Sequence, residues 1–391
     1  MRILLLCEGD PETRDSLSGS TKSIIEQFRA HDHEVLGVDV DLYGVERWLM
    51  AGATFAREKT RWRAKYRMLG RGFRARSKKA ARYIEQHRQG VDLILQVGAT
   101  FAPAHRGRTP YVLYCDANFR MAEHEIASGT SWAAPLTEEE RRLVVEQEAE
   151  VYRGAAAIFT ISERLRRSFI EDFGIEPTRV RAVYAAPNLD LSRIPPPAEQ
   201  RPEGQPPTIL FVGREFKRKG GDLLVEAFRR VRAHIPDARL IMLGVKDAVI
   251  QEPGIRFLGN LDLEQPDEWQ LYSDAYRSAD VFCLPTRYDP FPTVIMEAMY
   301  FGLPCIGTQT SGVPEMVIED ETGYTVPVND CDALVDRLLH LLGDRSLARK
   351  MGEAGRARAV AAFSWKATYE RMMEVIEPIV ERTSKVDRRS A

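Results

Sequence analysis

Short unbroken runs of Val, Ile and Leu, separated by stretches of helical periodicity, most tightly restrict what this chain can fold into. In the first half they are Arg2 to Cys7, Glu34 to Val38, Val91 to Val97, Tyr111 to Tyr114 and Ala156 to Ile161. A strand with one wet face alternates polar and apolar residues. A strand covered by helices on both faces is apolar throughout, and that is the pattern of a parallel sheet. The first half therefore reads as a doubly wound α/β domain. The stretch from Pro187 to Pro207 carries Pro195, Pro196, Pro197, Pro202, Pro206 and Pro207 and continues neither helix nor ladder. Beyond it the alternation restarts with Thr208 to Val212, Arg239 to Leu243, Ile255 to Leu258, Val281 to Leu284 and Cys305 to Gly307. The expectation is a domain at 1–190, a Pro-rich linker at 191–207 and a second, similarly wound domain at 208–365. Ligands of such folds settle outside the C-terminal ends of the strands, so function is expected in a cleft between the two.

The 391 residues suit two or three domains of roughly 150 residues each. With 55 basic and 57 acidic side chains the formal charge is −2, which argues against a nucleic-acid partner. Five cysteines, Cys7, Cys115, Cys283, Cys305 and Cys331, have neither metal-ligand nor redox spacing and suit a reducing, cytoplasmic compartment. The scattered histidines pair with no acid at ligand spacing, so no metal site is expected. No apolar run approaches the roughly 20 residues of a membrane span, and the opening run is too short for a signal-peptide core. Membrane contact, if there is any, is expected to be peripheral.

The chemistry-bearing residues cluster in the second half. After the strand ending at Val212 come Gly213-Arg214 and then Lys219-Gly220 before a helix with Leu223, Leu224, Ala227, Phe228 and Val231 on one face and Asp222 as its N-cap. Gly213 permits a tight turn, and two cations bracketing a strand-to-helix loop suit a diphosphate. Basic loop residues are also commonly just solvated. Further on, Tyr288-Asp289-Pro290-Phe291-Pro292-Thr293-Val294-Ile295-Met296-Glu297 reads as a loop entering a short helix, with Pro292 in its first turn and Gly302 and Pro304 as its stop. Free N–H groups near Thr293 and Val294 favour an anion. Glu297, a turn inside, and Asp289, outside the helix start, suit sugar hydroxyls, Glu297 those of a ribose. A capping or surface role is the alternative for each acid.

Gly213-Arg214 with Lys219-Gly220, an acid followed after seven residues by Glu297-Ala298-Met299, and Gly302-Leu303-Pro304 together resemble the family 4 retaining glycosyltransferases of the GT-B fold. The resemblance continues through Ser311-Gly312-Val313-Pro314-Glu315, Gly323-Tyr324-Thr325-Val326-Pro327 and Phe363-Ser364-Trp365. In the first half it touches Ser18-Gly19-Ser20, His33-Glu34-Val35, Ile161-Ser162-Glu163 and Pro187-Asn188-Leu189-Asp190. It implies two Rossmann-like domains facing a cleft, the first binding acceptor and the second a nucleotide-sugar, with 366–391 a helix crossing back to the first. It also implies transfer of a hexose, with retention and without a metal, from a UDP- or GDP-linked donor to a sugar or lipid-linked acceptor in cell-surface glycan synthesis. Arg214 and Lys219 would then neutralise the diphosphate, Glu297 hold the ribose and Asp289 contact the transferred sugar. Gly213, Phe291, Pro292, Thr293, Val294 and Ile295 would line the donor, and Ser18, Gly19 and Ser20 a loop near donor and acceptor. Asp116 at the end of its strand is carried over as a further catalytic candidate, although many members place before it a His that touches the donor sugar, where this chain has Cys115; the family also usually has Glu where Asp289 stands. Ser20 as a plain helix N-cap is the other reading of the Ser18–Ser20 turn. A noncatalytic nucleotide-sugar-binding protein on the same fold is the competing class.

Between Arg57 and Arg82 twelve basic residues face the single acid Glu58, with Trp62, Tyr66, Leu69 and Phe73 at helical spacing. This predicts an amphipathic basic helix that either packs with its charged side solvated or lies on an anionic surface at the cytoplasmic face of a membrane.

Overall fold

The computed structural model describes residues 1–390 apart from 14, 15, 88, 104–108, 127, 128, 130, 197–203 and 246–251; the side chains of 18, 384 and 386–390 also fall outside the description. Among the described residues two units are separable, Met1–Asn188 with Trp365–Ala391, and Leu189–Ser364. Of the expected linker, 197–203 lies outside the described residues, and Leu191–Arg193 forms a single 3-10 turn.

Unit one holds β1 (Arg2–Cys7), β2 (Glu34–Asp39), β3 (Leu93–Val97), β4 (Tyr111–Cys115), β5 (Ala157–Thr160) and β6 (Val180–Ala182) in the parallel order β2-β1-β3-β4-β5-β6. Unit two holds β7 (Thr208–Val212), β8 (Arg239–Leu243), β9 (Ile255–Gly259), β10 (Val281–Leu284), β11 (Cys305–Thr308) and β12 (Gly323–Val326), also parallel, in the order β12-β11-β10-β7-β8-β9. The apolar runs all became strands, because β1, β3, β4, β5, β7 and β10 bury almost every side chain between helical layers. The edge strands β6 and β12 lie outside those apolar runs. β6 is three residues long with Arg181 turned outward, and β12 opens on Gly323, where a Cβ would fall 1.9 Å from the Cys305 carbonyl oxygen.

The helices of unit one are α1 (Ser20–Ala30), α2 (Gly44–Ala53), α3 (Lys59–Met68), α4 (Gly70–Gln86), α5 (Phe119–His124), α6 (Glu138–Gly154) and α7 (Glu163–Glu171). Those of unit two are α8 (Gly221–His234), α9 (Pro266–Arg277), α10 (Thr293–Tyr300), α11 (Val313–Met316), α12 (Cys331–Gly343) and α13 (Arg345–Ala362), and α14 (Trp365–Ser390) returns to unit one. In α14 the Trp365 indole donates to the Pro187 carbonyl at 3.0 Å.

Three expectations are corrected. The basic run is not one helix: α3 and α4 are separated by Leu69 in an extended conformation, and Gly72 admits the Tyr66 carbonyl oxygen to within 2.6 Å of where a Cβ would be. Nor is the run wholly solvated, since Arg76 is 1% exposed against Glu8 at 2.6 Å, and Arg61 and Lys65 pair with Glu140. The N-caps of α1 and α8 are Gly19 and Gly220, both left-handed, rather than Ser20 and Asp222; Asp222 instead binds Arg287 at 2.7 Å.

Two predictions follow from this packing. Glu148 of α6 is 5% exposed and accepts the Phe119 N–H at 2.9 Å; burial pushes its carboxyl up to about 7, the hydrogen bond opposing that shift. The folded state therefore holds this proton more tightly than the unfolded chain, and its contribution, about 3 kcal/mol, is complete below the ordinary carboxylate range and lost as pH rises towards 7. Glu148→Gln should flatten that part of the profile of melting temperature against pH; an unchanged slope would contradict it. At Gly220, φ is 77° and a Cβ would sit 1.9 Å from the Pro285 carbonyl oxygen, so Gly220→Ala should cost about 2–4 kcal/mol in a denaturant titration.

Candidate functional site

In the second sheet the chain order reverses between β7 and β10, which are hydrogen-bonded neighbours with Val281 opposite Ile209. Loops that leave two adjacent parallel strands at such a point diverge around a crevice at the strand ends. Gly213 leaves β7 with its N–H on the Leu243 carbonyl at 2.9 Å, and the chain turns through Arg214–Gly220 into α8. From β10 the chain passes through Pro285 to Asp289. The two loops are joined by the Arg218 carbonyl, which accepts the Arg287 N–H at 2.9 Å and the Thr286 hydroxyl at 3.2 Å. The Arg218 guanidinium donates back to the Tyr288 carbonyl at 2.6 Å.

These tethers bring Lys219 onto Asp289. The ammonium forms an ion pair with Oδ2 of Asp289, and Arg218 Nη1 lies 3.8 Å from the same oxygen. Asp289 is 8% exposed, so its charge is met by protein cations more than by water. Arg214 is exposed and makes no ion pair with a described residue. Arg218 did not stand out in the sequence from the basic residues around it; only the course of the β10 loop sets it apart.

Phe291 is buried with its ring edge-on to Phe363 at 5.9 Å. Gly312 donates its N–H to the Pro290 carbonyl at 3.0 Å, and a Cβ there would lie 2.5 Å from the Phe291 ring, so the Ser311-Gly312 turn closes over the loop. Pro292 is the N-cap of α10 rather than its first residue, and no side chain caps the helix. Thr293 and Val294, both half-buried, thus open an uncapped helix start, while the Ile295 N–H is taken by the Pro292 carbonyl at 3.0 Å. Such a terminus presents N–H dipoles to an anion.

One turn on, Glu297 is 7% exposed. Its Oε2 accepts the Tyr272 hydroxyl at 2.5 Å and the Tyr276 hydroxyl at 3.1 Å, and the two hydroxyls are 3.2 Å apart. Burial raises its carboxyl above the ordinary range, and the tyrosine hydroxyls and the charge of Lys219 act in the opposite direction. With Oε2 occupied, Oε1 is the acceptor left for a ligand. Tyr272 and Tyr276, four apart on α9, carry an ordinary core signature in sequence; that their hydroxyls meet Glu297 depends on where α9 packs.

Asp116, Gly19 and Ser20 belong to unit one. Asp116 follows β4, and burial raises its carboxyl against the opposing charge of Arg67. Cys115 is fully buried, and burial also holds its thiol well above the ordinary range, which suits a packing residue. Gly19 has φ 93°, and a Cβ there would lie 3.3 Å from the Asn188 side chain; Ser20 is buried as the first residue of α1. The Ser18 side chain lies outside the described residues. Among the described residues no three His, Cys, Asp or Glu side chains gather to hold a metal ion, and no helix is long and apolar enough to cross a membrane.

Residues 196–358 match the model of the family described as Glycosyl transferases group 1. Over 274 residues the chain is 28% identical to an MMP alpha-(1->4)-mannosyltransferase of Mycolicibacterium hassiacum, covering 68% of this chain and 64% of that protein. Over 188 residues it is 33% identical to a phosphatidyl-myo-inositol mannosyltransferase of Mycobacterium leprae, covering 46% and 48%. The chain thus spans less than two thirds of the length of these relatives. In structure it resembles sucrose-phosphate synthase from Thermosynechococcus elongatus, with a TM-score of 0.71 at 20% identity over 97% of this chain and 99% of that one. It also resembles Anabaena HepE in complex with UDP and glucose, with a TM-score of 0.61 at 17% identity over 96% and 99%. Its two Rossmann-like α/β domains with parallel sheets are those of the GT-B fold, and its second unit contains the segment that matches the group 1 glycosyl transferase model.

Proposed function

We propose that the chain is a retaining glycosyltransferase that moves a hexose from a nucleoside diphosphate sugar to a sugar or lipid-linked acceptor in glycan synthesis. The observation that carries this reading is the convergence of Lys219, Arg218, Asp289 and the uncapped start of α10 at one end of adjacent strands, with Glu297 a turn further on. Cations and helix-start N–H groups suit a diphosphate, and a partly occupied carboxylate suits a ribose hydroxyl. The matched relatives are named as mannosyltransferases, three of them GDP-mannose-dependent, and a structural neighbour was solved with UDP. GDP-mannose is accordingly the first donor to test, with UDP-glucose as comparison.

On this reading negative charge grows on the leaving phosphate oxygen as the glycosidic bond breaks, and Lys219, Arg214 and the α10 terminus stabilise it. Asp289 holds the Lys219 ammonium before donor arrives and turns to the sugar hydroxyls once the diphosphate takes that cation. The departing phosphate accepts the proton of the acceptor hydroxyl, so no separate protein base is called for. The roles of Asp116 in handling the sugar and of the Ser18–Ser20 turn in meeting the acceptor are carried over from the family resemblance alone.

A thermal-shift panel of UDP, GDP and ADP with their sugars identifies the donor, since a ligand that binds only the folded state raises its melting temperature. Lys219→Ala and Arg214→Ala should each lower turnover by about 2–4 kcal/mol of transition-state stabilisation with the fold intact. Wild-type rates at saturating donor in either variant would overturn the diphosphate assignment. Because Arg218 is tied to the Tyr288 carbonyl, Arg218→Ala should lower the melting temperature as well as the rate, unlike Lys217→Ala.

Calorimetry separates the two acids. Glu297→Gln should weaken binding of the bare nucleoside diphosphate, whereas Asp289→Asn should spare it, since Lys219 is released, and should alter preference between donor sugars. Equal losses for both ligands in Asp289→Asn would contradict this division. With the Glu297 carboxyl raised, nucleotide affinity should fall as pH drops through its titration, and Tyr272→Phe, which removes a donor to the carboxylate, should move that fall to higher pH.

A further inference from the structure

Helix α2 buries none of its residues. Val45, Trp48 and Leu49, spaced to share one face, are 74%, 79% and 69% exposed, and Phe55 just beyond the helix is 64% exposed. The patch is anchored: the Phe55 ring meets Trp62 edge-on at 5.9 Å, and the Trp62 indole donates to the Ala51 carbonyl at 2.9 Å. A lone exposed apolar residue is ordinary, whereas four large ones within eleven residues on a fixed surface indicate contact with something apolar.

The surrounding charge narrows what that is. Residues 43–82 hold thirteen basic side chains and two acids, Glu46 and Glu58. Arg61, Lys65, Arg67 and Arg76 find carboxylates on Glu140 or Glu8. Arg57, Lys59, Arg63, Lys78 and Arg82 are exposed and form no ion pair with a described residue. A groove of about 320 Å³ runs between α2 and α4, lined by Glu46, Lys78, Lys79, Arg82 and Tyr83. Lys79 is held there by the Asp41 carbonyl at 2.6 Å, while Lys78 and Arg82 keep their charges for a ligand.

We propose that this face docks on an anionic lipid bilayer. Val45, Trp48, Leu49 and Phe55 enter the boundary between headgroups and acyl chains, and Lys78 and Arg82, with Arg57 and Lys59 beyond the helix, meet lipid phosphates. Apolar and aromatic side chains beside unpaired Lys and Arg are the composition of an interfacial helix. A second copy is a poor occupant, because a two-fold contact sets the same cations against each other. The apolar part of this contact lies on α2, and the α3–α4 basic run forms its charged border. The contact rests on unit one alone and does not depend on the reaction.

The test is sedimentation of the full chain with vesicles of phosphatidylcholine alone or mixed with phosphatidylglycerol, at low and high salt. The chain should partition to the anionic vesicles and more weakly as salt rises. Trp48→Ser with Leu49→Ser, and separately Lys78→Glu with Arg82→Glu, should each lower the partition coefficient by about tenfold or more. All four side chains are exposed, so melting temperature should not change. No partition to anionic vesicles, or wild-type partition in both variants, would overturn the proposal. A concentration-dependent dimer abolished by Trp48→Ser, in a chain that ignores vesicles, would overturn it in favour of a second copy. Sugar transfer by a chain that fails to bind vesicles would remove the docking face and leave the proposed reaction standing.

Discussion

The pairing of β7 with β10 is the constraint from which the candidate site follows. Seventy residues separate Lys219 from Asp289 in sequence, yet the two strands are direct neighbours, so their loops must leave the sheet side by side. Each loop then satisfies the other's polar backbone: the Arg218 carbonyl accepts from Thr286 and Arg287, and the Tyr288 carbonyl accepts from Arg218. Gly220 is left-handed against the Pro285 carbonyl because no side chain fits between the loops there. The turn, the cations and the acid therefore depend on one strand adjacency.

Burial sets the electrostatics around that adjacency. Asp289 and Glu297 are both nearly closed to water, but their environments differ: Asp289 faces two cations, whereas Glu297 faces two neutral hydroxyls with Lys219 acting from further away. Burial draws the Glu297 carboxyl towards protonation against its hydrogen bonds, while Asp289 is held in an ion pair. Two acids eight residues apart in sequence thus differ in electrostatic character. Unit one contains a comparable contrast, with Arg76 buried among Glu8 and Asp41 while other cations of the same run face solvent.

The apolar runs were sufficient to read both sheets, because a strand covered on two faces has no polar alternation to confuse it. Only β6 and β12 escaped, one too short to show a pattern and the other begun by a glycine whose role lies across the ladder. Helix boundaries were less legible. Ser20 and Asp222 have good capping chemistry, but left-handed glycines precede both helices, and Asp222 is taken by Arg287 from another loop. The break between α3 and α4 was hidden because aromatic spacing ran on across Leu69, which is extended, with Gly72 leaving room for the Tyr66 carbonyl.

By itself the sequence determined the class of fold, two parallel α/β sheets, and the residue types held ready at the ends of β7 and β10, since periodicity and loop composition are local properties of the chain. Tertiary structure alone decided which of those residues meet. Whether Lys219 lies on Asp289, whether Arg218 is a tether or a solvated cation, and whether Tyr272 and Tyr276 are core or carboxylate partners all depend on distances between segments remote in sequence. The same holds for α2, whose apolar face resembles any helix stripe until the packing of α4 leaves it uncovered. A pattern along the chain fixes what a side chain can do, and only the fold, by bringing other segments against it or leaving it to solvent, decides what it does.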